Sequence, residues 1–553
     1  MTEEEPTVKD LEQLLRDERT LRVRAETRAA DQAEKTQIWR TRAEERAERI
    51  ERLLAEPRRS VRRRKPAPTS KPAPATPDPA RQIIASPRHP KRMGGVRLAT
   101  ALDPEHQPLT AAFATMSLVG KPNALAEADL VAVDAASLAA MPAEAKNHFT
   151  VWLNSPARQP LALLVGSAGD SIPVETKLAN VVFATTATAM TNLAAQGIEA
   201  IALNPVFDPA IVNPIGRIWS PQTAVEREER DGLSAVTKDG KLVGIESMPG
   251  RFAPKWLLEA AAAGVPLATE QLDFTVAANL ARAGAAGRRW AYRHHTPTLR
   301  GLQIATAAGV DIHDPRPHAA AILVSMRPHQ AVQALEMVSR QTYEPLSIVI
   351  GLHGAEPTPQ LAEVIDRVAP HTPVTLLHLD AALTLGECLN QAIAATGAEV
   401  LAKIDDDDFY GPGHIEDGIQ ALEYSQAGIV GKGAQFTYLE EQDATVLRRP
   451  REEEALIGGS PTGATMFIRR TVWESVGFPH RPRQIDVLFT RAARENGVTV
   501  YANSRWEFCY MRQVAGHTWT TPSKTFTAGA EPQWTGLIPQ QMVVPSLPAP
   551  VAQ

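Results

Sequence analysis

The sequence predicts an α/β protein: two successive domains built on parallel sheets, preceded by a long charged helix. Three observations predict it. Short apolar runs alternate with Ala-rich helical stretches from Gly95 to about Ile312. A second alternation of the same kind opens at "AAAILVSM", Ala319 to Met326. Residues 8–56 are dominated by Glu, Arg, Ala and Leu and contain neither proline nor glycine. At 553 residues the chain exceeds one ordinary core, so two or three domains with linkers are expected.

The first element, 8–56, reads as one continuous helix because nothing in it breaks the i to i+4 ladder. Leu11, Leu14, Leu21, Trp39, Ala43, Ala47, Ile50 and Leu54 form a patchy, alanine-thinned seam. That seam suits either a coiled-coil homodimer or a lone solvated helix.

Pro57 ends it, and 57–94 reads as a basic, Pro-rich, disordered linker. Arg58 to Arg92 holds eleven Lys/Arg against the single acid Asp78. The linker suits anionic lipid headgroups at the inner face of a membrane or an acidic polymer, or serves as a solubilising spacer.

The third element, 95–312, carries "RLATAL", "ADLVAVDA", "LALLVG", "NVVFATT" and "EAIALNP", then "KWLLEAAAAGVPLATE". Strand-length runs alternating with helices predict a Rossmann-like, parallel-stranded domain. The fourth, 317–520, continues through "PLSIVIGL", "VTLLHL" and "VLAKIDDDD"; 521–553 reads as a loose tail.

Bulk chemistry narrows the function. A net charge of −5 gives no global reason to bind nucleic acid. Cys388 and Cys509 stand alone, without the spacing of a disulfide framework or a zinc site, which suits a reducing, cytoplasmic compartment. The acidic N-terminus lacks the layout of a secretory signal, and no apolar run approaches the ~18 residues of a membrane span.

The chemistry concentrates in "EVLAKIDDDDFYGPGHIEDGI", Glu399 to Ile419, where four aspartates follow an apolar run. In parallel α/β sheets the carboxyl ends of the strands are where ligands bind. Adjacent carboxylates repel one another and resist apolar burial. A divalent cation relieves both problems, since an Asp-x-Asp spacing presents two hard oxygen ligands on one side of an extended segment, suited to Mg²⁺ or Mn²⁺.

With these surroundings the region Ala319 to Trp519 resembles the family-2 glycosyltransferases of the GT-A fold. The resemblance rests on six segments in order: "VSMRP", "SRQTYEPLSIVIGLHG", "TLGECLNQAIAATGAEVLAKIDDDDFYGP", "GGSPTGATMFIRRTVW", "GFPHRPRQIDVLFTRAARENG" and "EFCYMRQVAGHTW". It implies that Asp405 and Asp407 are metal ligands, that Asp408 is an accessory contact and that Asp406 points away. It makes Asp486 the catalytic base that deprotonates an acceptor hydroxyl and inverts the anomeric centre. His517 would complete the metal site, and Arg512 would hold the diphosphate.

Ser325, Arg327, Pro328, His353 and Asn390 join the implied nucleotide-sugar site, together with Asp405, Asp406 and Asp408. Gly458 and Gly459 would let the backbone approach an acceptor. The chain departs from the family in three places. "IGLHGAE" replaces an acidic base-contacting segment, leaving His353 or Glu356 as substitutes; Leu389 stands where an arginine is usual; and "SMRPHQ" lacks the usual Tyr-Asn.

"ESMPGRFAPKWLLEAAAAGVPLATE" resembles the nucleotide-sugar half of GT-B glycosyltransferases, of the spore-maturation-protein type. Glu259, Gly264 and Pro266 fit that pattern in a degenerate or accessory domain. A purely structural reading makes the segment a core helix with Gly264 at its C-terminus.

The expectation is therefore a metal-dependent inverting glycosyltransferase, hexosyltransferase-like, using Mn²⁺ or Mg²⁺ and a nucleotide-diphosphate sugar. Its acceptor would be a glycan or lipid-linked hydroxyl, in bacterial cell-envelope or surface glycan synthesis. The alternative is a non-catalytic glycan-binding scaffold assembled through the N-terminal helix. A sugar nucleotidyltransferase is disfavoured because "VSMRPHQ" has no glycine-rich phosphate loop.

Overall fold

The computed structural model describes residues 81–84 and 97–547, apart from 103–105, 111–112, 119–123, 157, 167–171, 216–225, 231, 239–240, 246–250, 268–276, 311, 313 and 515–523. The chain divides into two units, Met1–Pro77 and Asp78–Gln553, and every described residue belongs to the second. The expected helix 8–56 lies outside the described residues, as does most of the linker. Within the linker span, Arg81–Ile84 forms an edge strand antiparallel to Val374–Leu379.

Arg97–Ala101 opens a six-stranded sheet whose spatial order is 114–117, 97–101, 130–134, 161–165, 181–184, 201–202. All its pairings are parallel. Its inner strands are buried on both faces and include uninterrupted apolar runs such as Leu161–Val165.

Ala319–Ser325, Leu346–His353, Val374–Leu379 and Val400–Ile404 form the parallel half of a nine-stranded mixed sheet. Its other half is mixed: Phe467–Arg469 runs antiparallel to both Val400–Ile404 and Ile429–Lys432. Alternation along a strand divides its side chains between two cores. Ala319, Ala321 and Leu323 join one, with helices Pro328–Val338, Pro359–Val368 and His414–Ser425. Ala320 and Ile322 join the other, with helices Leu385–Ala394 and Ile485–Glu495.

The segment read as GT-B-like packs into the first of these cores. Leu257, Leu258 and Ala261 of helix Lys255–Ala262 and Trp290 and Tyr292 of helix Ala277–His294 lie in it together with Leu323 and Leu335. Gly264, with φ +83°, follows the first helix as its left-handed C-terminal residue. A Cβ on Gly284 would overlap the Gly264 carbonyl, so the two helices meet there at backbone distance.

Charges lock this contact. Arg289 donates to both oxygens of Asp417, at 2.8 and 2.9 Å, and to Glu507 at 2.7 Å. Arg288 pairs with Glu454, and Arg293 with Glu416. Burial works to raise the Asp417 carboxyl, but Arg289 and then Arg288 outweigh it and hold it below the usual carboxylate value.

The C-terminal segment is not the loose tail expected. Glu531–Thr535 pairs antiparallel with Ala444–Arg448, and Met542 and Val544 are buried. The Val544 N–H donates to Glu507 at 2.8 Å, and Arg282 donates to the Val543 carbonyl at 2.7 Å. Among the described residues no helix is long and apolar enough to cross a membrane. Both cysteines are buried and free.

Gly284→Ala is expected to lower stability by about 1–3 kcal/mol, read as a lower urea midpoint at unchanged m. Arg289→Met strands Asp417 and Glu507, and is expected to cost about 3–5 kcal/mol. Because the folded Asp417 pKa is depressed, its contribution is complete above the unfolded value of about 4 and disappears as pH falls through the folded one. Acid titration monitored by circular dichroism should therefore show a steeper loss of stability below about pH 4 in the wild type than in Asp417→Asn.

Candidate functional site

Strand Val400–Ile404 ends directly in Asp405, and its last residues are fixed by the sheet on either side. Lys403 is 6% exposed, although it stands in an otherwise apolar strand. Its ammonium donates to Asp405 at 2.6 Å and lies 3.7 Å from Asp486. Residues 403 and 405 share a face of the extended chain, so the lysine lies beside the first carboxylate. Burial would lower the Lys403 amine, but Asp405 and Asp486 outweigh it and its pKa stands above normal.

Asp406 does not point away. It accepts from the Ser325 hydroxyl and from Arg327, whose Nε lies at 3.2 Å. Arg327 also reaches Asp407 at 3.1 Å. Ser325 ends its strand and Arg327 precedes Pro328, the first residue of helix Pro328–Val338, so the sheet and the helix start deliver this pair to the acids. Burial and then the charges of Asp405 and Asp406 raise the Asp407 carboxyl, opposed by Arg327.

Asp408 accepts the Met511 N–H at 2.8 Å through one oxygen; its other oxygen is buried without a hydrogen-bond partner. Burial, then Asp407 and Asp405, push its pKa well above normal. The Tyr410 hydroxyl accepts the Asp405 N–H at 2.8 Å and donates to the Ala464 carbonyl at 2.9 Å, tying the acidic turn to the loop before Phe467.

Asp486 stands in the first turn of helix Ile485–Glu495, on the other side of Lys403. Burial raises its carboxyl and Lys403 lowers it in part. A Cβ on Gly463 would overlap its Oδ2. Gly463, rather than Gly458 or Gly459, is thus the glycine that the local geometry requires. Gly458 and Gly459 are exposed; a Cβ on Gly459 would meet nothing within 4 Å, and one on Gly458 only Arg494 at 3.9 Å.

The remaining expected residues are dispersed. Asn390 is spent on packing: its oxygen accepts from Trp473 and the Phe478 N–H, both at 2.9 Å, and its amide donates to the Phe478 carbonyl. His353 ends its strand beside Leu379, with Nε2 buried and without a hydrogen-bond partner. Glu356 is exposed, 3.5 Å from His378. Arg512 ends strand Phe508–Arg512, with its guanidinium 5.3 Å from the Phe526 ring. His517 lies outside the described residues.

Glu259 pairs with Lys255 on its own helix at 3.9 Å. Gly264 forms the helix-end turn described above, and the Pro266 carbonyl accepts the Ile245 N–H at 2.9 Å. All three are accounted for by local packing. Sequence reading missed Lys403 and Gly463. A lysine two residues before the acids inside "VLAKI" was the available signal for the first; the second had none, because its neighbour Asp486 is remote in sequence.

The metal fit is one of charge. Arg327 and Lys403 bring positive charge to these four aspartates. One Asp408 oxygen is buried without a hydrogen-bond partner, and burial first, then the neighbouring aspartates, raises the Asp407 and Asp408 carboxyls. Clustered hard oxygen donors suit a divalent cation. Among the described residues no three ligand-type side chains already converge on one point.

A mixed α/β sheet thus carries an acidic cluster at one strand end and another carboxylate across a shared lysine. Residues 323–471, about a quarter of the chain, match the family model "Glycosyl transferase family 2". No curated protein matches the chain.

Among solved structures, the chain is similar to a mannosyltransferase, PcManGT from Pyrobaculum calidifontis, in complex with GDP-Man and Mn²⁺. Identity is 14%, coverage 37% of this chain and 59% of that one, and the TM-score 0.29. TarS 1-349 of S. aureus is 11% identical over 35% of this chain and 60% of its own, at a TM-score of 0.27. The same protein with UDP-GlcNAc gives 12%, 38%, 63% and 0.28. The chain thus spans about 60% of the length of these structures.

Mn²⁺ is expected to raise the melting temperature of the intact chain, by about 2.7 kcal/mol of linkage at a hundredfold excess over Kd. Asp407→Asn should abolish that rise in differential scanning fluorimetry.

Proposed function

We propose that the chain is a metal-dependent inverting glycosyltransferase that moves a sugar from a nucleotide diphosphate to a hydroxyl acceptor. One observation carries this reading: Lys403 holds Asp405 of an acidic strand end on one side and Asp486 on the other.

Asp405 and Asp407, with the second oxygen of Asp408, are the groups that would hold Mn²⁺ or Mg²⁺. When bound, that ion supplies charge neutralisation to a departing diphosphate. Ser325 and Arg327 hold Asp406 and Asp407 in place, and Arg327 keeps a guanidinium at the same edge, where it suits phosphate oxygens. Asp486, half-buried and kept clear by Gly463, is positioned to accept the acceptor hydroxyl's proton. Burial raises that carboxyl, and Lys403 opposes the rise.

The acceptor is proposed to be a glycan or lipid-linked hydroxyl of a bacterial envelope or surface polymer, reached from the cytoplasm. The basic linker would contact anionic membrane and the N-terminal helix would pair two copies. No nucleic acid is involved.

Purified chain screened against nucleotide sugars, with and without Mn²⁺, tests the reading. Turnover or hydrolysis should require the ion and vanish in Asp407→Ala. Asp486→Asn should lower kcat by about 10²–10⁴ while leaving nucleotide affinity near wild type. Lys403 depresses the Asp486 pKa, so Lys403→Met should move the acidic limb of the pH–rate profile to higher pH; an unmoved limb would remove Asp486 as the base.

A further inference from the structure

The amino end of the nine-stranded sheet carries a cavity of about 340 Å³, within the ~300–1,000 Å³ of small-molecule sites. Val400 lines it, whereas Asp405 follows the other end of the same strand, so the cavity is separate from the acidic cluster. Its walls come from the end of helix Ala277–His294, the start of helix Pro297–Ala307, the segment before Ala319 and one face of helix His414–Ser425. Tyr292, Leu299, Tyr343, Ile419 and Leu422 make much of that wall apolar. Both tyrosine hydroxyls are already used: Tyr343 donates to the Pro317 carbonyl at 2.7 Å and Tyr292 to the Val212 carbonyl at 3.3 Å.

The donors of the wall are committed and two of its acceptors are not. Arg293 donates through Nε to Glu416 at 2.8 Å, and Arg316 through Nε to the two oxygens of Asp314 at 3.0 and 2.9 Å. Arg469 donates to the Ala427 and Leu422 carbonyls, at 2.9 and 2.6 Å. Gln420, 6% exposed, donates its amide to the Arg289 carbonyl at 3.4 Å and to Glu416 at 3.2 Å. Both partners are acceptors, so the nitrogen must face them, and Oε1 is left buried without a hydrogen-bond partner. Glu423 lies one turn further along the same helix face and lines the same cavity. Among the described residues its carboxylate has no hydrogen-bond or ion-pair partner; burial raises it to about 7, and Arg469 opposes the rise from longer range.

A buried acceptor without a donor is costly, and a ligand that donates to both groups removes the cost. An anion would place a further negative charge beside Glu423 and Glu416 with no uncommitted guanidinium to meet it. A neutral hydroxyl could serve Gln420 but would leave the Glu423 charge uncompensated. A protonated amine supplies both the charge and several N–H donors, and an apolar body suits the tyrosine rings and aliphatic side chains around it. We infer that this cavity binds a small apolar amine, held by Glu423 and Gln420. Such an occupant touches the helices before Ala319 and helix His414–Ser425 together. Its binding does not depend on the transferase reading.

The test takes the intact chain to butylamine, cyclohexylamine, benzylamine and phenethylamine, each beside its matched alcohol and carboxylate, with affinity read by calorimetry. Glu423→Gln removes the charge at constant size, and Thr298→Trp fills the half-buried mouth of the cavity. Melting temperature checks that each folds, and should one fold poorly the other decides. The expected result is saturable binding of at least one amine, in preference to its alcohol and carboxylate. That affinity should weaken at least about tenfold in either variant, a loss of about 1.4 kcal/mol, and should persist in Asp407→Asn.

The site is overturned by no saturable amine binding, by an alcohol or carboxylate that binds as well, by unchanged affinity in a folded variant, or by loss in Asp407→Asn, which would place the amine on the acidic cluster instead. Failure of the transferase reading is seen separately, as absence of Asp407-dependent turnover, and leaves this binding unaffected.

Discussion

Like charges adjacent in a chain cannot be moved apart by folding; they can only be given partners. The structure around Asp405–Asp408 is organised by that constraint. Lys403 lies beneath the first carboxylate, Ser325 and Arg327 hold the second, Arg327 reaches the third, and the Met511 N–H meets the fourth. These groups come from three separate strand ends and one helix start, so the sheet must be assembled before the acids are tolerable. A buried lysine in an apolar strand is costly alone, and Asp405 and Asp486 offset that cost.

The second constraint is the arginine face of helix Ala277–His294. Its ion pairs bury charge, which stabilises little against a well-packed apolar alternative but penalises misdocking heavily. Arg288, Arg289 and Arg293 each meet an acid from the family 2 region or the strands after it. The C-terminal segment seals the same contact, because Glu507 accepts from both Arg289 and the Val544 N–H. The segment from Phe207 to Tyr292 and the region after Ala319 therefore share one core.

Much of this was legible locally. Apolar runs bounded by turns gave the parallel strands, since burial on both faces leaves little polar alternation. The acids at a strand end followed directly from "VLAKIDDDD". Asn390 misled because a motif position says nothing of whether the side chain's hydrogen bonds are already consumed; here Trp473 and Phe478 take them. The tail misled because Pro-rich segments carry no period, while Met542 and Val544 are buried by partners far away in sequence.

By itself the sequence determined the order of strands and helices and the concentration of carboxylates. These are local properties of spacing and composition. Only the tertiary structure decided that Asp406 turns inward to Ser325, that Lys403 joins Asp405 to Asp486, and that Gly463 makes room for Asp486 while Gly458 and Gly459 stay open. Those outcomes depend on which remote segments the sheet brings within a few ångströms, and no local pattern encodes that distance.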